Sequence, residues 1–256
     1  MANSTRESRR LPIDCPSCRA QINGLCKDCA PEVLQIIAGY KSGDREIKAG
    51  DDLFRAGEPC DAIYHLVDGW GFLYDLLEDG RRQILHFALP GASLGLYPER
   101  VANYSAQALT DVLVLRIPHE NLGPLFDQHP GVGLRFAWIV WRERNLAYDH
   151  LSTIGQRPAR ERIARSLLEL FVRYRMQWPG HRIEEMNIPL TQEQIGDATG
   201  LTGVHVNRIL RGLRSEGIVE FHYRRLRILN PDKLVDVAGI NPGAISSWAG
   251  RRPSEQ

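Results

Sequence analysis

Residues 190–219 read LTQEQIGDATGLTGVHVNRILRGLRSEGIV, and their spacing predicts two short helices joined by a tight turn. Thr191 stands where a hydroxyl can cap the first helix, with Gln194 at the reciprocal position of a capping box. Ile195 and Ala198 form that helix's inward face, and Gly200 breaks it. Thr202 is a second N-cap. Val206, Ile209, Leu210 and Leu213 supply the apolar stripe of the second helix, which Gly217 ends. Val204, Arg208 and Arg211 fall at i, i+4 and i+7, so they share one outward face. His205 and Asn207 flank them, and Arg214 follows. A helix that enters the DNA major groove needs side chains that reach base edges, and arginine is the commonest reader of guanine. A solvated surface helix could carry the same arginines, so the surrounding chain has to decide.

After Gly217 comes IVEFHYRRLRIL, residues 218–229, two short β-type runs around a basic turn. His222, Tyr223, Arg224 and Arg225 fall at the turn. A helix-turn-helix followed by such a hairpin is a winged helix, and arginines on the wing suit phosphates, which fix position without reading sequence. From Arg157 to Arg227 there are 13 arginines, no lysine and 8 carboxylates, whereas the whole chain carries a net charge of only +1. The positive charge is concentrated where a nucleic-acid footprint requires it. The DNA-facing set is Thr202, Val204, His205, Asn207, Arg208 and Arg211, with Arg224 and Arg225 on the wing.

The 256 residues, 43% hydrophobic and 25% charged, describe a soluble globular chain of about two domains. The longest apolar run, Phe136–Trp141, is far short of a membrane span, and MANSTRESRR lacks the apolar core of a signal peptide. A cytoplasmic location is expected, with no membrane partner. Over residues 44–118 short apolar runs alternate with Gly50, Gly57, Gly69, Gly80 and Gly91, which predicts antiparallel strands in a small barrel or roll. Pro118, Pro124 and Pro130 punctuate its exit. A helical pattern then runs from Gly131 to Thr153. Leu134, Trp138, Trp141, Asn145, Tyr148 and Ser152 recur on one seam, which suits a dimer contact or packing on the chain's own barrel. Leu134, Trp138, Trp141 and Tyr148 are the candidate dimer residues. Gly155 and Pro158 mark a hinge, and Ile163, Leu167, Leu170 and Phe171 are the buried face of the next helix.

Residues 15–29 read CPSCRAQINGLCKDC and hold four of the five cysteines. Cys15 with Cys18, and Cys26 with Cys29, are two C-x2-C pairs separated by seven residues. In a reducing compartment this pattern points to metal or redox chemistry rather than disulfides. Soft thiolates suit an iron–sulfur cluster or zinc, and a metal-free tail with oxidisable thiols is the third reading. Cys60, at a turn, is an incidental residue.

The order of parts resembles the CRP–FNR family of bacterial transcription regulators. The matching blocks are IKAGDDLFRAGEPCDAIYHLVDGWGFLY, DGRRQILHFALPGASLG and YSAQALTDVLVLRIP, followed by the winged helix, from about residue 30 to residue 235. The resemblance implies an α+β fold: an N-terminal β-roll of the cyclic-nucleotide-binding type, a long dimerisation helix and a C-terminal winged helix-turn-helix domain. The expected limits are 1–30 for the cysteine segment, 31–130 for the roll, 131–155 for the dimer helix and 156–235 for the DNA reader. Residues 236–256 remain as a polar tail. A homodimer on a palindromic operator, with RNA polymerase as a further partner, is implied. Members that bind cyclic AMP carry a Glu and an Arg-Ser pair in the roll. Here those positions resemble Leu96 and Tyr104-Ser105, so no cyclic nucleotide is expected. The family often has Glu at the position of Val204, and Arg208 matches its base-reading Arg. Val can touch a thymine methyl but cannot accept from cytosine, so a changed base preference is expected there.

Oxygen sensors of the FNR type carry a [4Fe-4S] cluster on cysteines ahead of the roll. The resemblance implies that Cys15, Cys18, Cys26 and Cys29 hold such a cluster, with zinc as the alternative. The cysteine that some members place in the roll is replaced here by Leu115, so Cys15, or failing it Cys60, has to supply the fourth thiolate. An enzyme finds little support, because no phosphate-binding glycine loop, G-x-S-x-G or H-E-x-x-H is present. A thiol oxidoreductase would place C-x-x-C at a helix start inside a βαβ unit. A haem sensor of the same fold could use His65 or His86.

Overall fold

The computed structural model describes residues 24–27, 29–97, 99–176, 185–240, 245 and 248. In chain order the elements begin with α1 (Pro31–Tyr40), β1 (Gly43–Ile47), β2 (Asp52–Phe54), β3 (Ala62–Asp68), β4 (Gly71–Leu76), β5 (Arg82–Ala88), β6 (Ser93–Leu94), β7 (Ser105–Ala108) and β8 (Val112–Pro118). They continue with α2 (His119–Gln128), α3 (Pro130–Gln156), α4 (Ala159–Met176), β9 (Glu185–Asn187), α5 (Gln192–Thr199), α6 (Gly203–Ser215), β10 (Val219–His222), β11 (Arg225–Ile228) and α7 (Pro231–Val237). The chain divides into two compact units, Met1–Leu73 with Phe87–Val140, and Tyr74–His86 with Trp141–Gln256.

The first unit carries the roll apart from Tyr74–His86, the greater part of the β4–β5 hairpin, which belongs to the second. The strands of the roll lie in two sheets of order β1-β8-β3-β6 and β2-β7-β4-β5. β3 pairs antiparallel with β8 from Ala62↔Pro118 onward, and a register shift falls between Leu66 and Asp68. Six consecutive residues of β3, Ala62 to Val67, are buried, because both faces of this central strand are covered. Tyr64 and Leu66 join Phe54, Leu94, Ala106, Val112 and Val114 between the sheets. Ile63 and Val67 face the opposite way, onto Leu34, Ile37, Leu122, Leu125, Val132, Phe136 and Ile139 of the helices. That double burial is why the strand reads as a continuous apolar run rather than an alternation.

Two helices in this unit lie where the sequence offers weak periodicity. α1 starts on Pro31, whose fixed φ suits a first helical turn, and buries Leu34 and Ile37. α2 continues through Pro124, a residue read from sequence as punctuation. Of the expected dimer-helix limits, 131–155, each end extends by one residue.

In the second unit α4 buries Ile163, Leu167, Leu170 and Phe171, the face expected from sequence. The break before it falls at Arg157–Pro158, since a proline disfavours helical backbone in the preceding residue. α5 and α6 pack together over Ile195, Ala198, Val206, Leu210 and Leu213. The wing has three strands of order β10-β11-β9, with β9 pairing β11 from Arg225↔Asn187 to Arg227↔Glu185. Of the described residues in the tail, Ala238, Ile240 and Trp248 are buried, and the Arg165 guanidinium lies 5.3 Å from the Trp248 ring centroid. Among the described residues no helix is long and apolar enough to cross a membrane.

Candidate functional site

The reading helix is held by its caps and by the turn before it. Thr191 Oγ1 accepts from the Gln194 N–H at 3.1 Å, while the Thr191 N–H donates to Gln194 Oε1 at 2.9 Å. This is the reciprocal box expected from sequence. Gly200 closes α5 in the left-handed conformation. Gly196 has to be a glycine for packing reasons, since a β carbon there would lie 2.4 Å from the Leu201 carbonyl oxygen. Thr202 Oγ1 accepts from the His205 N–H at 3.3 Å and starts α6.

On the outer face of α6, Val204 is 83% exposed. Arg208 and Arg211 are exposed beside it, without an ion pair among the described residues. His205 is half-buried. Asn207 turns its amide inward and donates from Nδ2 to Gln192 Oε1 of α5 at 2.7 Å. It braces the two helices, a role invisible in a pattern read along α6 alone. Thr202 likewise serves as a cap. Arg214 pairs with Glu220 of the wing at 3.0 Å, and Arg225 pairs with Glu185 at 3.2 Å. Arg224 sits at the hairpin turn and is exposed.

These positive charges stand on a helix-turn-helix and its wing, and the comparisons agree with that architecture. Residues 161–237 match the Crp-like helix-turn-helix domain, and residues 44–129 match the cyclic nucleotide-binding domain. The transcriptional activatory protein AadR of Rhodopseudomonas palustris is 32% identical over 181 residues, 71% of this chain and 75% of AadR. The chain belongs to the CRP–FNR family of transcription regulators. The nitrogen fixation regulation protein FixK of Bradyrhizobium diazoefficiens is 28% identical to this regulator over 223 residues, 83% of this chain and 93% of FixK. The solved structure of FixK2 from Bradyrhizobium japonicum shares 28% identity at a TM-score of 0.69, over 77% of this chain and 98% of FixK2. The regulator is therefore a DNA-binding protein rather than an enzyme.

Of the four candidate metal ligands, Cys15 and Cys18 lie outside the described residues. Cys26 is buried in the cluster formed by Leu25, Leu34, Ile37, Ile63 and Phe136, with Cys29 packed against it. Their turn is closed by the Cys29 N–H donating to the Cys26 carbonyl at 3.3 Å. Gly24 presses this turn onto the roll, where a β carbon would fall 2.5 Å from His65 Cε1 and 2.8 Å from Gly91. Arg135 of α3 donates from Nη1 to Cys29 Sγ at 3.3 Å. Arg135 stands 106 residues away in sequence, so no local pattern could have indicated it. Among the described residues no three side chains of His, Cys, Asp or Glu form a metal-binding group.

The remaining candidates have partners. Cys60 is buried with its thiol toward the carbonyls of Ala62 and Gly95, each at 3.5 Å, and burial pushes the thiol pKa up. His65 is buried with Nδ1 2.9 Å from Ser93 Oγ. His86 Nε2 lies 2.5 Å from Glu143. Leu96 and Tyr104 are exposed, and Ser105 Oγ accepts from the Ala56 N–H at 3.1 Å. Along α3, Leu134, Trp141 and Tyr148 are exposed at seven-residue spacing, and Trp138 is half-buried.

Proposed function

We propose that this regulator binds a palindromic operator as a homodimer and senses oxygen or redox state through an iron–sulfur centre on Cys15, Cys18, Cys26 and Cys29. The observation that carries the sensing step is the seat of the cysteine turn. Cys29 rests on Arg135, one residue from Leu134 on the exposed apolar face of α3. A change at the cysteines therefore reaches the helix that would join two copies.

The donor set fits the group. Two thiols at C-x2-C spacing share one turn, and a guanidinium N–H faces one sulfur, a hydrogen bond of the kind that tunes cluster potentials. When bound, a [4Fe-4S] centre supplies an oxygen-labile crosslink between the cysteines. The chain's own part is to hold that turn against β3 and α3, and to present Arg208 and Arg211 from each copy to one half-site. RNA polymerase is the further partner of such a regulator. Cyclic nucleotides are not its signal, since Leu96 and Tyr104 offer neither a carboxylate for a ribose nor a cation for a phosphate.

The test is iron, acid-labile sulfide and zinc per chain on protein purified without oxygen. About four iron and four sulfide per chain are expected. Cys29→Ser, at the less buried of the two described candidate ligands, should lose the iron and the oxygen response of DNA binding together. About one zinc per chain with little iron would make the segment a structural clasp instead.

A further inference from the structure

The wing tip is built at a cost that its phosphate-contacting role does not explain. Tyr223 and Arg224 form the two-residue turn between His222 and Arg225, and their φ angles are +50° and +62°. Turns with positive φ at both central positions match the twist of a hairpin, but Asn and Gly normally fill them, because a side chain there is strained. Such strain persists only where the surroundings enforce it. Here β9 pairs along β11, and the Ile188 N–H donates to the Arg224 carbonyl at 2.8 Å.

The turn lifts two side chains clear of the sheet. Tyr223 is 88% exposed, and Val204 on α6 is next among the exposed large apolar residues. The Tyr223 ring stands edge-on to His222, with centroids 4.0 Å apart, which braces it. Arg224 has no ion pair among the described residues, whereas its neighbour Arg225 is tied to Glu185. A glycine pair would make an easier turn, and solvent gives an exposed aromatic ring no gain. A duplex offers both groups a place. The minor groove is narrow and lined by sugars, and over A·T runs its enhanced negative potential draws in arginine.

We propose that the wing tip is a second DNA-reading element, in which Tyr223 and Arg224 enter the minor groove beside the half-site read by α6 and favour A·T-rich flanks. This rests on α6 being the major-groove helix. The full chain, purified without oxygen, is used to select its operator from random duplexes. The selected core is then held fixed between A·T or G·C flanks, and affinities are measured by anisotropy. Wild type should prefer A·T flanks by about fivefold or more. Tyr223→Ala and Arg224→Ala should each erase most of that preference while keeping the core selectivity.

Tyr223→Gly separates reading from folding. It relieves the left-handed strain, so its melting temperature should equal or exceed wild type while the flank preference is lost. Equal binding of both flanks by wild type overturns the proposal, as does a Tyr223→Gly variant that keeps the preference. Arg208→Ala, run alongside, tells the two readings apart. If it loses core selectivity while wild type shows no flank preference, the wing proposal alone fails. If its core selectivity is intact, the assignment of α6 fails and the wing proposal with it.

Discussion

Arg208 is exposed on α6, with no ion pair to lose among the described residues, so its replacement tests DNA binding without testing the fold. Arg208→Ala should cost about 1–3 kcal/mol of specific binding and leave thermal stability within about 0.5 kcal/mol of wild type. Titration of a labelled operator, paired with a melting curve, checks both halves. Asn207→Ala should behave in the opposite way. It removes the bond to Gln192 between α5 and α6, and a lost hydrogen bond of this kind costs about 1 kcal/mol of stability. The difference between these two neighbours was only half legible in sequence. Which side of α6 each occupies follows from helical geometry, which is local. Whether a polar side chain on the flank turns outward or back depends on Gln192, which belongs to another helix.

Among the elements, the C-terminal part of β5, the middle of α3 and α4 share a partly buried charge network in the second unit. His86 and Arg142 both pair with Glu143, at 2.5 and 2.8 Å, and Arg173 pairs with Glu169 at 3.0 Å. Burial by itself would raise the Glu143 carboxyl. The charges of His86, Arg142 and Arg173, with the His86 hydrogen bond, outweigh it and hold the group well below the ordinary carboxylate range. Burial lowers the pKa of His150, as does the neighbouring His86, against an opposing pull from Glu169. Both folded-state values are depressed, so both contributions are present above the unfolded values and are lost as pH falls. The His150 part fades below its ordinary value of 6.5, and the Glu143 part below its ordinary value of 4.5. Stability of the wild type should therefore fall between pH 6.5 and 5, by at most about 1.4 kcal/mol per unit from His150. His150→Gln should flatten that interval in a series of urea titrations. Glu143→Gln should cost about 1–3 kcal/mol at neutral pH, because it leaves two partly buried cations without their partner. None of this was legible in advance. The three elements, β5, α3 and α4, are separated in sequence, and charged residues on an amphipathic helix read as a solvated face until packing covers them.

At the scale of the molecule, the exposed face of α3 is the feature that a single chain leaves unsatisfied. Leu134 and Leu151 are 72% and 69% exposed, with Trp141 and Tyr148 between them. If two copies join there, Leu134→Lys with Leu151→Lys should halve the mass found by sedimentation without lowering the melting temperature of the monomer. Operator affinity should then fall by about a hundredfold or more, since the gain from linked half-sites is lost. An unchanged mass would show that the dimer uses another face.

The elements with local signals were readable from the amino-acid order: the capping box at Thr191, the stripe of α6, the proline break before α4 and the glycine-spaced strands of the roll. Each depends on residues within one or two turns of one another, so spacing alone reveals it. Folding settled what long-range contact controls. It put a third strand, β9, under the wing, buried Trp248 against Arg165, and turned Asn207 back onto α5. It also seated Cys29 on Arg135. In every case the free energy of the feature lies in a partner that only the folded chain brings near.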